Sequence, residues 1–247
     1  MAAWIHGKVV DHKRWNEKLH TLYIDAAIEP HQAGQFVKIG LEIDGEIIGR
    51  PYSLLNPPRH TPLEIYYIHV PQGQLTPRLI QLEAGDDILV SPRANGFMVL
   101  DEIPQAKHLW FMATGTGVGP FLAILDEGKL WARFERVVLV YAVRTLSELS
   151  YQERIAALAA ANPERFAFVP FISRETWPFA QPGRIPQAIE NGSLEMAAGT
   201  PIRAEDSHFV LCGNPAMVED VTQCLIGRGF KKHRRRDPGH ITTESYW

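Results

Sequence analysis

Leu109-Trp110-Phe111-Met112-Ala113-Thr114-Gly115-Thr116-Gly117-Val118-Gly119-Pro120 decides the fold class. Residues 109–113 read as a strand buried on both faces. Three glycines at alternate positions follow, then Pro120 and an apolar stretch to residue 130 that reads as a helix. Strand, glycine turn and helix open a βαβ unit. The alternation continues downstream: strand-like 137–142, helix-like 150–161, strand-like 166–172, helix-like 185–191, strand-like 208–212 and helix-like 215–226. This rhythm predicts a parallel, Rossmann-like α/β sheet with helices on both faces.

Upstream the rhythm differs. Residues 4–10, 19–26, 35–43, 63–70 and 87–90 are short runs rich in β-branched and aromatic residues. Turn residues part them, among them Asp44-Gly45, Asn56-Pro57-Pro58, Pro71-Gln72-Gly73 and Gly85-Asp86. Many short strands at close spacing predict an antiparallel barrel or sandwich. Thr76-Pro77 reads as an N-cap followed by a first-turn proline, opening a helix to about residue 82. The boundary is expected near Asp101, dividing 1–101 from 102–247.

The 247 residues are 45% hydrophobic and 21% charged, which excludes wholesale disorder. A net charge of −3 excludes a generic polyanion binder. No run of 18 apolar residues predicts a membrane span. The N-terminal residues lack the basic-then-apolar pattern of a secretory signal, so a cytoplasmic protein is expected. Cys212 and Cys224 are too few for a disulfide framework or a four-thiolate cluster. A redox role would therefore need an organic cofactor.

Several strings carry chemistry. The Gly115-x-Gly117-x-Gly119 turn would bring backbone close to a ligand, with a helix N-terminus beyond it that favours an anion. Its spacing is neither the Gly-x-Gly-x-x-Gly fingerprint nor a P-loop, and a tight turn without a ligand reads the same way. Leu211-Cys212-Gly213-Asn214-Pro215 ends the last of these strands and opens the last long helix. Loops at carboxyl ends of parallel strands face one ligand crevice, though Cys212 also reads as a small buried hydrophobe. Arg144 and Arg174 follow two other strands, and Arg184 precedes a helix. Arginine matches phosphate bidentately, so the three would suit a ribose 2′-phosphate, hence NADP. In Arg50-Pro51-Tyr52-Ser53, the arginine, tyrosine and serine suit a phosphate, a flat ring and a ring-edge hydrogen bond; a core tyrosine in an ordinary strand is the other reading. Gly73-Gln74-Leu75-Thr76-Pro77 would supply a second anion site. Tyr246-Trp247 at the end would pack on a core edge or on a cofactor ring. Lys231-Lys232-His233-Arg234-Arg235-Arg236 is either a solvated face or a docking patch for an acidic partner. It lacks the aromatic platform of a nucleic-acid site.

Together these strings resemble the bacterial ferredoxin/flavodoxin–NADP reductases. Arg50-Pro51-Tyr52-Ser53 is similar to the family's Arg-x-Tyr-Ser flavin motif, and Gly73-Gln74-Leu75-Thr76 to its flavin-phosphate loop. Residues 113–117 and Cys212-Gly213-Asn214-Pro215 resemble its nicotinamide-side loops. The resemblance spans the chain in matching order. It implies a six-stranded antiparallel Greek-key barrel holding FAD and a Rossmann-like NADP domain. Tyr52, Ser53 and Thr116 would stand at the reacting rings. Arg50, Pro51, Tyr66, Tyr67, Ile68, His69, Gln74, Leu75, Thr76, Tyr246 and Trp247 would complete the FAD site. Val143, Arg144, Ser173, Arg174, Arg184, Cys212, Gly213, Asn214 and Asp220 would hold NADP. NADPH would give a hydride to the flavin, and single electrons would pass to ferredoxin or flavodoxin, docked on Lys231, Lys232, Arg234, Arg235 and Arg236. No catalytic metal is implied, and a monomer is expected. The ending Tyr246-Trp247 sets the chain apart from plant-type members, which end in a single tyrosine. Competing readings are a free-flavin or quinone reductase of the same superfamily, which tends to lack such a tail, and a non-catalytic nucleotide- or nucleic-acid-binding protein.

Overall fold

The computed structural model describes residues 3–245. Tyr246 and Trp247 lie outside the described residues. The chain forms two compact units. One takes the chain up to Leu100 together with Gly119–Glu127; the other takes Asp101–Val118 and the chain from Gly128 onward.

The first unit holds six antiparallel strands: β1 (Ile5–Arg14), β2 (Leu19–Asp25), β3 (Phe36–Ile43), β4 (Glu46–Ser53), β5 (Leu63–Ile68) and β6 (Asp87–Val90). Their order is β4-β3-β6-β1-β2-β5. The edge strands meet just past β4, where Leu54 bridges Ile65 and the Leu55 N–H donates to the Glu64 carbonyl at 2.9 Å. That closure gives the barrel and hides both edges. β4 is the strand the sequence pattern delimited least. It pairs with β3 along its whole length through a two-residue turn, Asp44-Gly45, with both residues at positive φ (53° and 81°). Asp-Gly suits that turn because its twist matches the flanking strands. Val9, Leu22, Ile24, Val37, Ile39, Ile65, Tyr67 and Val90 fill the barrel.

The helix expected from Thr76 to residue 82 is a single turn, α1 (Thr76–Leu79). Leu75, not Thr76, stands at its N-cap, with no side-chain cap. The Thr76 hydroxyl instead accepts from the Val70 N–H at 2.9 Å and donates to the Val70 carbonyl at 3.1 Å. It ties the loop down rather than capping a helix.

The second unit is a six-stranded parallel sheet: β7 (His108–Thr114), β8 (Arg136–Val143), β9 (Phe166–Ile172), β10 (Gln181–Pro182), β11 (Ser207–Gly213) and β12 (Ile241–Ser245). The order is β10-β9-β8-β7-β11-β12. Chain order runs outward from β7 on one side and starts again at β11 on the other, so the topological switch lies between β7 and β11. Helices α3 (Gln152–Ala161), α4 (Ile185–Glu190), α5 (Ser193–Ala198) and α6 (Pro215–Gly227) connect the strands. Trp110, Met112, Val138, Val140, Phe209 and Leu211 bury one sheet face against residues of α4, α5 and α6. The intervening Leu109, Phe111, Val137, Leu139 and Val210 are equally buried. The continuous apolar run of each strand reflects this two-sided burial.

The helix after the glycine turn is α2 (Gly119–Glu127). It stops before residue 130 because Gly128 takes a left-handed C-cap at φ 76°. α2 groups with the barrel unit: a Cβ on Gly119 would lie 2.6 Å from Leu55, and one on Gly34 would lie 3.0 Å from Ile124. The edge strand β12 and the helix α5 had no counterpart in the sequence pattern.

Candidate functional site

In the parallel unit the sequence-marked residues gather at the carboxyl edge of the sheet. The turn after β7 (Gly115–Val118) and the turn after β11 adjoin, because β7 and β11 are neighbours. A Cβ on Gly117 would lie 2.5 Å from the Cys212 carbonyl oxygen. Gly213 has φ 131°, and a Cβ there would lie 2.3 Å from Thr114 Oγ1. Thr114 Oγ1 also accepts from the Asn214 N–H at 2.8 Å. So Gly117 and Gly213 are required by packing between the two turns. Gly115 differs: it has φ 52°, and its missing Cβ would point into open space. That is the position where backbone lies bare at the switch point. Thr116 beside it is buried. Cys212 is buried within β11, in line with its reading as a small hydrophobe. Asn214 caps α6, its side-chain oxygen accepting from Ala216 N at 2.9 Å and Met217 N at 3.4 Å. Asp220 lies apart. It is exposed on the second turn of α6 and lines an open groove of about 950 Å³ towards α4.

Farther along the same edge, Val143, Ile172 and Pro182 form one row across β8, β9 and β10. Each of the three arginines follows that row by one or two residues. The loops are laced together: Ser173 N donates to the Val143 carbonyl at 3.1 Å, and Arg174 N to the Arg144 carbonyl at 2.9 Å. Arg144 and Arg174 are thus fixed side by side, with Arg184 as the N-cap residue of α4 on the same edge. Three guanidinium groups at one sheet edge suit a multiply charged anion. Glu148, which the sequence reading passed over, takes Arg144 in a bidentate pair. Its signal was the i, i+4 spacing from Arg144.

In the barrel unit the marked residues lie on β4, β5 and the segment before α1. Arg50 and Tyr52, two residues apart, share a face of β4. Arg50 is exposed and donates to Gln74 Oε1 at 3.3 Å, which joins the two flavin-type motifs. Gln74 and Arg78 line a groove of about 470 Å³ beside the β3–β4 turn. Arg78 is a further cation there that the motif reading did not include. Pro51 is exposed, whereas Ser53 and Leu75 are buried. Tyr52 is half-buried, and burial outweighs the nearby Arg50 charge to push its phenol up to about 12. It stays a neutral ring at any working pH. A half-exposed ring beside an exposed arginine and a carboxamide fits a flat cofactor with a phosphate tail.

The strand period divides Tyr66 from Tyr67. Tyr67 points into the barrel core, edge-on to Tyr52 at 6.2 Å, and its hydroxyl meets His12 Nε2 at 3.1 Å. Tyr66 faces the other way, edge-on to Trp15 at 6.5 Å. Ile68 and His69 are half-buried at the strand end. The structure therefore does not bring residues 66–69 onto one surface.

The basic run forms a tight turn in which Arg234 and Asp237 exchange backbone hydrogen bonds. Much of its charge is paired. Lys231 meets Asp237, Lys232 meets Glu219 at 3.9 Å, and Arg235 forms a bidentate pair with Glu102 (2.6 and 2.9 Å). Arg234 and Arg236 are exposed, with no ion pair to a carboxylate among the described residues. No cluster of three metal-ligating side chains and no helix long and apolar enough to cross a membrane is found among the described residues.

Residues 111–223 match the oxidoreductase NAD-binding domain family. The chain is 46% identical to a flavodoxin/ferredoxin–NADP reductase of Escherichia coli over the full length of both chains. It is 36% identical to a ferredoxin–NADP reductase of Pseudomonas aeruginosa, over 86% of this chain and 85% of that one. Among solved structures, a ferredoxin–NADP+ reductase from Neisseria gonorrhoeae with bound FAD and NADP superposes with a TM-score of 0.94 at 33% identity, covering both chains fully.

Proposed function

The chain belongs to the flavodoxin/ferredoxin–NADP reductase family, and from that premise we propose how its two units share the work. It is an oxidoreductase that uses FAD and NADP(H). The chemistry supplied by bound FAD is acceptance of a hydride from NADPH at N5 and release of single electrons to ferredoxin or flavodoxin. The observation that carries the division is the lacing of Arg144 to Arg174 on one sheet edge, with Arg184 at the same edge.

Arg144, Arg174 and Arg184 hold the 2′-phosphate that distinguishes NADP from NAD. Gly115 leaves room for the dinucleotide backbone, and Thr116 lines the turn beside it. In the barrel unit Tyr52 offers its ring to the flavin, Ser53 a hydroxyl to the ring edge, and Arg50 with Gln74 the contacts to the phosphates. The hydride step moves no separate proton, so it needs no general acid or base, and there the task of the protein is orientation. The acceptor docks on the exposed Arg234 and Arg236, and the enzyme works as a cytoplasmic monomer.

An anaerobic titration with NADPH, followed by visible absorbance, tests the whole assignment. The expected result is a yellow protein with two flavin bands, bleached by about one equivalent of NADPH. A protein that takes up no FAD would overturn it. A yellow protein that NADPH leaves unbleached would overturn the NADP half.

A further inference from the structure

Two carboxylates stand among the arginines of the phosphate edge, where an anion site would be expected to exclude them. Glu175 Oε1 accepts from the Leu146 N–H and fastens the loop after β9 to the loop after β8. Glu148 does more. Its Oε2 accepts from the Arg144 backbone N–H at 3.0 Å and from Arg144 Nε at 3.1 Å, while its Oε1 meets Arg144 Nη2 at 2.6 Å. The Glu148 side chain is 16% exposed and that of Arg144 is 40% exposed. The carboxylate is therefore the inner partner, and the guanidinium projects past it.

A guanidinium has five N–H donors in a rigid fork. Side-on pairing through Nε and Nη2 uses two of them. Of the remaining three, one on Nη1 and one on Nη2 form the end of the fork, an edge that pairs bidentately with a phosphate. Without that grip the long side chain would have to be ordered by the ligand itself, at a cost in binding. The backbone bond from Arg144 N to the same carboxylate fixes the root of the side chain as well as its tip.

We propose that Glu148 is a positioning residue for NADP specificity: by holding Arg144 side-on, it presents the free end of the guanidinium to the 2′-phosphate. This rests on the assignment of Arg144 to that phosphate. In this role Glu148 acts through Arg144 and need touch no cofactor atom itself. Its negative charge would by itself repel the ligand, so the sign of its effect decides between alignment and repulsion.

The test is calorimetric titration of the holoenzyme with 2′-phospho-AMP and with AMP, for wild type, E148Q, R144A and the double variant. E148Q keeps the size of the side chain but not the charge-assisted grip. It is expected to weaken 2′-phospho-AMP about tenfold and AMP less than about twofold, with KM for NADPH rising and kcat unchanged. On the R144A background the same change is expected to add almost nothing, since its only target is gone. Unchanged or tighter binding of 2′-phospho-AMP by E148Q would overturn the proposal, as would equal losses for both nucleotides. R144A separates this failure from that of the parent assignment: if R144A weakens both nucleotides equally, the phosphate reading falls; if it weakens 2′-phospho-AMP selectively and E148Q does not, only the role of Glu148 falls. Should E148Q not fold, R144K serves, because a lysine keeps the charge but has no fork to grip. Discrimination by R144K equal to wild type would likewise overturn the proposal.

Discussion

In the parallel unit the residues proposed to meet a nucleotide come after the strands, whereas in the barrel unit they lie within or between them. The difference has a physical origin. The central strands of the parallel sheet are buried on both faces, so their middles are mostly apolar, and chemistry is displaced to the carboxyl-end loops. The barrel strands alternate, so Tyr66 and Tyr67 are sequence neighbours with opposite surroundings. Function after a strand is marked by a break in composition; function within a strand is masked by the fold's own alternation.

The sharpest way to break this contrast lies in the loops themselves. Gly213 and Gly115 both have positive φ at the carboxyl edge, yet only Gly213 is hemmed in. Gly213→Ala forces a Cβ to 2.3 Å from Thr114 Oγ1 at φ 131°. It is expected to destabilise the protein by about 3 kcal/mol or more, lowering the melting temperature by at least about 6 °C. Gly115→Ala, with open space above it, should cost only about 1 kcal/mol. Similar melting temperatures for the two variants would mean that the turns do not interlock as described.

The next largest effect tests what those loops hold. Removing one charge-assisted contact to phosphate costs about 1.5–3 kcal/mol. Arg174→Ala should therefore raise KM for NADPH roughly 10- to 100-fold while KM for NADH moves less than about twofold. Equal losses with both nucleotides would remove Arg174 from the phosphate edge and leave it a loop arginine.

Legibility followed the same division. Strand 166–172 and strand 87–90 lie where periodicity puts them, and the Asp44-Gly45 turn joins β3 to β4 as its residues demand. Arg144 and Arg174 could be picked out because each stands just past an apolar run, and Arg184 because it precedes a helix. Three things were hidden. Thr76 has the residue type of a cap, but its hydroxyl is engaged by Val70, six residues back, and no local pattern reports that. β12 is short and polar, Ile-Thr-Thr-Glu-Ser, and is a strand because β11 offers it an edge. The basic run reads as a block of positive charge, yet Asp237, Glu219 and Glu102 neutralise much of it, two of them from distant segments. Local signals report local structure; partners brought by the fold are invisible to them.

An effect of intermediate size belongs to β11 and β12. His208 is 1% exposed, and its Nε2 lies 2.9 Å from Thr242 Oγ1. Burial, with further repulsion from His233, His240 and Arg133, pushes its pKa down to about 3, and a backbone hydrogen bond involving Gly239 acts in the opposite sense. The folded state thus binds fewer protons than the unfolded one between about pH 6.5 and 3. Stability is then lost as pH falls through that window, by up to about 1.4 kcal/mol per unit. Denaturation at pH 6.5 and pH 5 should show a drop of about 2 kcal/mol in wild type and a smaller drop in His208→Gln, whose amide retains a partner for Thr242. Equal drops would mean that His208 is not the group responsible.

The smallest effect bears on the barrel side of the contrast. The His12 Nδ1 atom lies 2.7 Å from the Leu82 carbonyl oxygen. A carbonyl only accepts, so Nδ1 carries a proton, and Nε2 shares a hydrogen bond with the Tyr67 hydroxyl at 3.1 Å. Tyr67→Phe leaves the ring in place against Tyr52 and His20 and removes only that bond. The expected loss is about 0.5–1.5 kcal/mol, or a few degrees in melting temperature. FAD affinity should change less than about twofold, since the hydroxyl points into the core and away from the face that Tyr52 offers; Tyr52→Ala, which removes the stacking surface itself, should weaken FAD about tenfold. If Tyr67→Phe weakened FAD as much as Tyr52→Ala, the alternation along β5 would not separate core from site. Function in the barrel would then reach through its interior, and the contrast between the two units would fail on that side.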